Sequence, residues 1–113
     1  MIFSTIKIGR LEVSNRIIVA AMCQYFAING IMTDWHMQHF TQLGYSSAGL
    51  IMVEATAVEK IGRITHNCVG IYDDKCIVSF KNNLQLAKSV APKKSSFGIQ
   101  LAHGGRKAST QRP

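Results

Sequence analysis

The stretch AAMCQYFAINGIMTD, residues 20–34, joins the first long apolar segment to the first helical one, and what it lacks decides between two folds. A dinucleotide-binding sheet carries Gly-x-Gly-x-x-Gly directly after its first strand, so that a pyrophosphate can sit against the helix N-terminus. Residues 20–34 hold a single glycine, Gly30, within a long connection. The nucleotide-binding, doubly wound arrangement is therefore excluded.

On either side of this connection, RIIVAAMC (16–23) and GLIMVEA (49–55) are continuous apolar runs bounded by turn residues. Strands buried on both faces of a parallel sheet have this pattern. SFGIQLAH (96–103) supplies a third. Between the first two, Thr33 or Asp34 caps a helix predicted to run to about Ser47 and to close at Gly49. The Asp73-Asp74 pair opens a second helix, where carboxylates suit the positive end of the helix dipole. Its apolar positions Ile77, Phe80, Leu84, Ala87 and Ala91 predict one buried stripe, and Pro92 marks its end. Upstream, IKIGRLEV alternates around Gly9-Arg10 and predicts a short hairpin.

The order is hairpin, then βαβαβ, with crossovers long enough for right-handed parallel connections. The expected class is α/β, the opening portion of a TIM (β/α)8 barrel. In such a barrel chemistry gathers at the C-terminal ends of the strands. Met22, Cys23 and Tyr25, then Glu54 and Ala55, then Gln100 and His103 should share one mouth.

With 113 residues and 47% apolar content, the chain is expected to form one globular unit, residues 1–113. No apolar run approaches the ~18 residues of a membrane span, and MIFSTIKIGR has no charged segment leading into a greasy one. No membrane partner is expected, and the expected location is cytoplasmic. Cys23, Cys68 and Cys76 are odd in number and lack metal or redox spacing, so free thiols are expected. The formal charge of +7 is concentrated after Asp74, in Lys75, Lys81, Lys88, Lys93, Lys94, Arg106, Lys107 and Arg112. Such a tail can attract nucleic acid, but no aromatic residues interleave with the cations. A solvated face is the expectation, with no nucleic-acid partner.

In the third strand, alternation sets Gly98, Gln100 and Ala102 on one face and Phe97, Ile99 and Leu101 on the other, which should pack on the helices. On the first face Gln100 can hold a flat ligand, or bond to neighbouring backbone inside a barrel core. Cys23 taken alone reads first as an inert small hydrophobe, with a reactive thiol as the alternative; Tyr25 reads as a phenol for a substrate or a loop cover. His36 and His39 share a helix face without a third ligand at suitable spacing, so they are expected at the surface or as caps, with no metal. Glu54 should not be buried without a partner, and Arg106 is the candidate. Arg106 and Lys107 can bind an anion or form a structural ion pair.

Taken in order and spacing, NRIIVAAMCQY, TDWHMQH, GLIMVEATAV, GRITHNCVGIYDD and GIQLAHGGRK resemble the N-terminal third of the old yellow enzyme family. The match is closest to its bacterial FMN-dependent NADPH dehydrogenases and ene-reductases, and it covers nearly the whole chain. The resemblance implies a TIM barrel with an N-terminal hairpin at its bottom, FMN as cofactor and NAD(P)H as reductant. It implies that hydride passes through the flavin to a small molecule, an activated alkene. On the same basis Ala20, Ala21, Met22 and Cys23 line the flavin, with Cys23 near its reactive edge. Ala55 contacts the ring, Gln100 hydrogen-bonds its polar edge, and Tyr25 faces the substrate. Ala21 stands where the family usually has proline.

A complete barrel needs about 250 residues, with its phosphate site in loops after strands seven and eight. The family's paired histidine (or histidine and asparagine) motif and its proton-donating tyrosine are also missing from these 113 residues. The expectation is a piece truncated after the third barrel strand, holding no catalytic residue, inactive alone, and needing the missing strands or self-association for stability. The alternatives are a non-functional gene remnant or a basic nucleic-acid-binding module.

Overall fold

In the computed structural model, residues 1–108 are described, apart from the side chain of Lys107. Arg112, counted in the basic tail, lies outside them, and so does the anion-binding reading of Lys107. The predicted hairpin is present: β1 (Ile6–Ile8) pairs antiparallel with β2 (Leu11–Val13). A separate parallel sheet follows, in the order β3 (Ile18–Val19), β4 (Leu50–Ala57), β5 (Ser96–Ala102). With β4 central, the outer edges of β3 and β5 have no strand partner among the described residues.

The first strand is shorter than its apolar run predicts. Pairing to β4 ends at Val19↔Ile51. Beyond it the backbone leaves the ladder, and the amide of Gln24 bonds to the Glu54 side chain at 3.2 Å. A strand of apolar residues without a ladder to join becomes a loop.

Helix α1 (Asp34–Tyr45) starts at Thr33, as its capping chemistry predicts. It stops short of Ser47: Ser46 turns its hydroxyl back to the Leu43 carbonyl at 2.6 Å, and Ser47 adopts a φ of 60°. Helix α2 (Asp74–Val90) is capped by Asp73, whose carboxylate accepts the Cys76 N–H at 2.9 Å. The two helices cross at Gly44, where an added Cβ would meet the Ala87 carbonyl oxygen at 2.6 Å.

The buried face of α2 carries Cys76, Phe80, Asn83 and Ala87. This corrects the predicted stripe: Ile77 is 47% exposed, and Leu84 is only partly buried. One residue is about 100° of helix rotation, and the small Cys76 fits under Gly30 where Ile77 would not. The core between sheet and helices joins Ala27, Met32, Phe40, Val53, Val69, Phe80 and Ala87, with Leu43, Leu84, Phe97 and Ile99 at its margin. Leu101, expected among them, is 63% exposed at the free edge of β5. The cations Lys75, Lys81 and Lys88 lie on the exposed side of α2. Among the described residues no helix is long and apolar enough to cross a membrane.

Candidate functional site

The site begins with a slip in one strand. Val53 pairs with Ile99, but the next pair is Ala55 with Gln100, so Glu54 is an extra residue, a β-bulge. Two consecutive side chains therefore reach the helix side: Val53 enters the core with Phe40, and Glu54 comes to 3.5 Å from His36 of α1. Past the bulge Ala55 returns to the other face, level with Gln100 and in line with Met52 and Gly98. A Cβ on Gly98 would lie 2.5 Å from the Met52 sulfur, so glycine makes room for the Met52 side chain, which lies across it.

The connection after β3 is pinned from α1. The indole N–H of Trp35 donates to the Gln24 side-chain oxygen at 3.1 Å, while the Gln24 amide group donates to the Met22 carbonyl at 2.9 Å. Phe26 stacks on Trp35 with ring centres 4.3 Å apart, and the Thr33 hydroxyl donates to the Phe26 carbonyl at 3.1 Å. Between these anchors Tyr25 is held at a φ of 58°, a left-handed conformation costing a non-glycine residue about 1–2 kcal/mol. Strain of this kind persists only where neighbours impose it.

Cys23 is partly buried, beside the backbone of Ala55 and the Tyr25 hydroxyl. Since Ala55 is the register partner of Gln100, Cys23, Ala55 and Gln100 form a continuous row across the sheet, with Tyr25 half-exposed beside it. Burial pushes the Cys23 thiol up, the charge of Glu54 adds to this, and the Ala55 backbone and the Tyr25 hydroxyl oppose it. The Tyr25 phenol is pushed up chiefly by Cys23.

Gln100 is exposed, and among the described residues its carboxamide makes no hydrogen bond. Ala20 and Met22 are exposed and Ala21 is half-buried. His103, at the same end of the sheet, lies 3.6 Å from Glu59 and accepts the Gly105 N–H at 3.0 Å.

Two expectations need correction. His36 is a cap, accepting the Thr33 N–H on Nδ1 at 3.1 Å, but it is fully buried rather than at the surface. Its remaining nitrogen faces Glu54 across 3.5 Å, and neither atom has a closer partner. Glu54 is likewise buried, and its neighbour is His36; Arg106, the expected partner, is exposed beyond β5. Burial pushes the Glu54 carboxyl up to about 7, against the Gln24 N–H, and pushes His36 down to about 4, with His39 adding to the effect. With Nδ1 accepting, the neutral imidazole carries its proton on Nε2, the nitrogen 3.5 Å from the carboxyl. The contributions of Gln24, Trp35 and His36 were missed in the sequence; Thr33-x-x-His36 is the available signal, a capping box with histidine in place of Glu or Gln.

The backbone defines the class first. Over 95% of its length the chain superposes on the old yellow enzyme homologue from Zymomonas mobilis, with a TM-score of 0.81 and 25% identity, covering 29% of that TIM-barrel chain. Residues 1–113 match the NADH:flavin oxidoreductase / NADH oxidase family, and the chain belongs to it. It is 43% identical over 112 residues to an NADH:flavin oxidoreductase of Gibberella zeae, covering 99% of this chain and 26% of that protein. It is 40% identical over 109 residues to an NADPH dehydrogenase of Bacillus subtilis, covering 95% and 31%. The chain thus spans between a quarter and a third of the length of these relatives.

Proposed function

We propose that this chain forms one wall of the FMN site of an NAD(P)H-dependent oxidoreductase. The observation that carries this reading is Gln100: an exposed carboxamide without a hydrogen bond to any described residue, level with the small, partly exposed Ala55. A planar ring edge that presents both carbonyls and N–H groups satisfies such an amide in both directions. Ala20, Ala21 and Met22 line the ring from the β3 connection, and Ala55 lets it approach the β4 backbone. Cys23 lies near its reactive edge as a neutral thiol at neutral pH, given its upward shift. Tyr25 turns its phenol toward the substrate.

When bound, FMN supplies hydride transfer from NAD(P)H to a small activated alkene. The chain's own residues position and exclude; none of them is assigned a catalytic proton transfer. On this reading these are the hairpin and first three strands of a TIM barrel, and the substrate-holding and proton-donating groups belong to other sequence.

The test is fluorescence titration of FMN with the chain and with Gln100→Ala. Saturable quenching that weakens in the variant is expected, without NADPH oxidation above a free-FMN control. Absence of saturable binding, or equal binding by both proteins, overturns the reading.

A further inference from the structure

A concavity is formed by residues outside the Cys23–Gln100 row. It is a cleft of about 590 Å3 between the turn at Ala27–Asn29 and the connection from β4 to α2, lined there by Lys60, Arg63, His66 and Asn67. Its walls are tied together: the Ala27 N–H donates to the Asn67 carbonyl at 3.0 Å, and the Asn67 side-chain amide donates to the Ala27 carbonyl at 3.2 Å. The cleft is therefore held open by bonds within the loops and does not need a ligand to form it.

Arg63 is unusual in this setting. The residue lines the cleft, yet it is only 6% exposed. Its Nε donates to the Lys60 carbonyl at 3.1 Å and one terminal nitrogen to the His66 carbonyl at 3.2 Å. These neutral oxygens orient the guanidinium without neutralising it. Among the described residues neither Arg63 nor Lys60 has a carboxylate within ion-pair distance, Glu59 being placed against His103. A buried cation is normally paired, because removing a charge from water costs several kcal/mol. Here the guanidinium's second terminal nitrogen has no partner among the described residues, and Lys60 adds a second positive charge to the same cleft.

We propose that this cleft is an oxyanion site that takes a phosphate group, with Arg63 as the fixed fork and Lys60 as the mobile second cation. Planar guanidinium groups match phosphate oxygens in paired hydrogen bonds, and a point charge beside them adds attraction without a fixed geometry. Asn67 and Asn29 border the same space. The phosphate can belong to a free ion or to a nucleotide; the chemistry that recognises it is the same. The inference is independent of the flavin reading, since it uses none of the residues in the Cys23–Gln100 row.

The experiment is an NMR titration of the isotopically labelled chain with inorganic phosphate, at constant ionic strength maintained with chloride. Saturable shifts confined to residues 27–29 and 60–67, including the Arg63 Nε–H, are expected. Lys60→Gln replaces an exposed side chain, should fold as the parent does, and is expected to weaken phosphate roughly threefold to tenfold. Arg63→Lys keeps the charge, loses the fork, and should weaken it further. Parallel titrations with adenosine 5′-monophosphate and adenosine separate the two sources. Tighter binding of the monophosphate than of phosphate points to a nucleotide, and binding of phosphate alone to the free ion. Shifts that chloride reproduces, or unchanged phosphate affinity in Lys60→Gln and in a folded Arg63→Lys, overturn the proposal.

Discussion

The two faces of the parallel sheet follow opposite rules. Toward the helices, Ile51 and Val53 are fully buried, and Val53 meets Phe40 and Phe80 in a closed, apolar layer. Toward the other side, Gly98 and Ala55 are small and partly exposed, and Gln100 carries an unused amide. Met52 packs over Gly98 on this face, so the small, open stretch is Ala55 beside Gln100. Small residues around one bidentate polar group suit a flat, hydrogen-bonding guest better than another layer of protein side chains.

The largest expected effect breaks the first face. Phe40→Ala should cost about 3–5 kcal/mol, from lost transfer energy and the cavity left behind. Ala55→Ser on the second face should stay within about 0.5 kcal/mol. Urea unfolding of both variants reads the difference. If the two substitutions cost the same, the faces are not energetically distinct.

Glu54 is the polar intruder on the dry face, and its titration sharpens the contrast. Its folded pKa is raised from 4.5 to about 7, so its contribution is fully present below pH 4.5 and lost as pH rises through 7. That of His36 is lowered from 6.5 to about 4, so its contribution is present above pH 6.5 and lost as pH falls through 4. Between pH 4.5 and 6.5 the two slopes oppose each other. The parent chain should show a shallow profile there, followed by a decline toward pH 7. Glu54→Gln removes the falling limb, leaving stability that rises by on the order of 3 kcal/mol between pH 4 and 6.5. Thermal unfolding across pH 4–8 checks this, and parallel profiles for parent and variant would refute it.

A smaller effect belongs to the open face. Gln100→Ala should leave stability within about 0.5 kcal/mol, yet weaken FMN by about 1 kcal/mol, roughly fivefold in Kd. Unfolding curves and flavin titration on the same preparation separate the two. A variant that loses stability in proportion to affinity would place Gln100 in the scaffold.

How far these faces were legible in the sequence depended on how local the deciding chemistry is. Thr33 and Asp73 marked their helix starts correctly because a cap is made by residues three positions apart. The alternation around Gln100 was legible because β5 is regular up to that residue. The apolar run through Ala20–Cys23 misled because a strand needs a neighbour, and the Gln24 amide bonds to a carboxylate 30 residues away. Cys76 and Ile77 are adjacent apolar residues on α2, and which of them faces inward is set by its packing against the loop at Gly30, not by periodicity. Nothing in Val53-Glu54-Ala55 announces a bulge. Without it Glu54 would point to the open face, and a distant cation such as Arg106 would be a reasonable partner.

The smallest effect is expected where the two faces meet, at Cys23. Cys68 and Cys76 are almost fully buried, so alkylation by iodoacetamide, located by mass spectrometry, reads Cys23 selectively. Its thiol ionises in the alkaline range, above the pH at which Glu54 is already charged, so the carboxylate opposes formation of the thiolate. Glu54→Gln should therefore move the alkylation midpoint to lower pH. The Tyr25 hydroxyl favours the thiolate, so Tyr25→Phe should move the midpoint the other way. A general loosening of the loop would expose Cys23 and speed its reaction in both variants alike. Opposed shifts would tie Cys23 electrostatically to the buried carboxyl on one side and the half-exposed phenol on the other, and shifts in a common direction would refute that coupling.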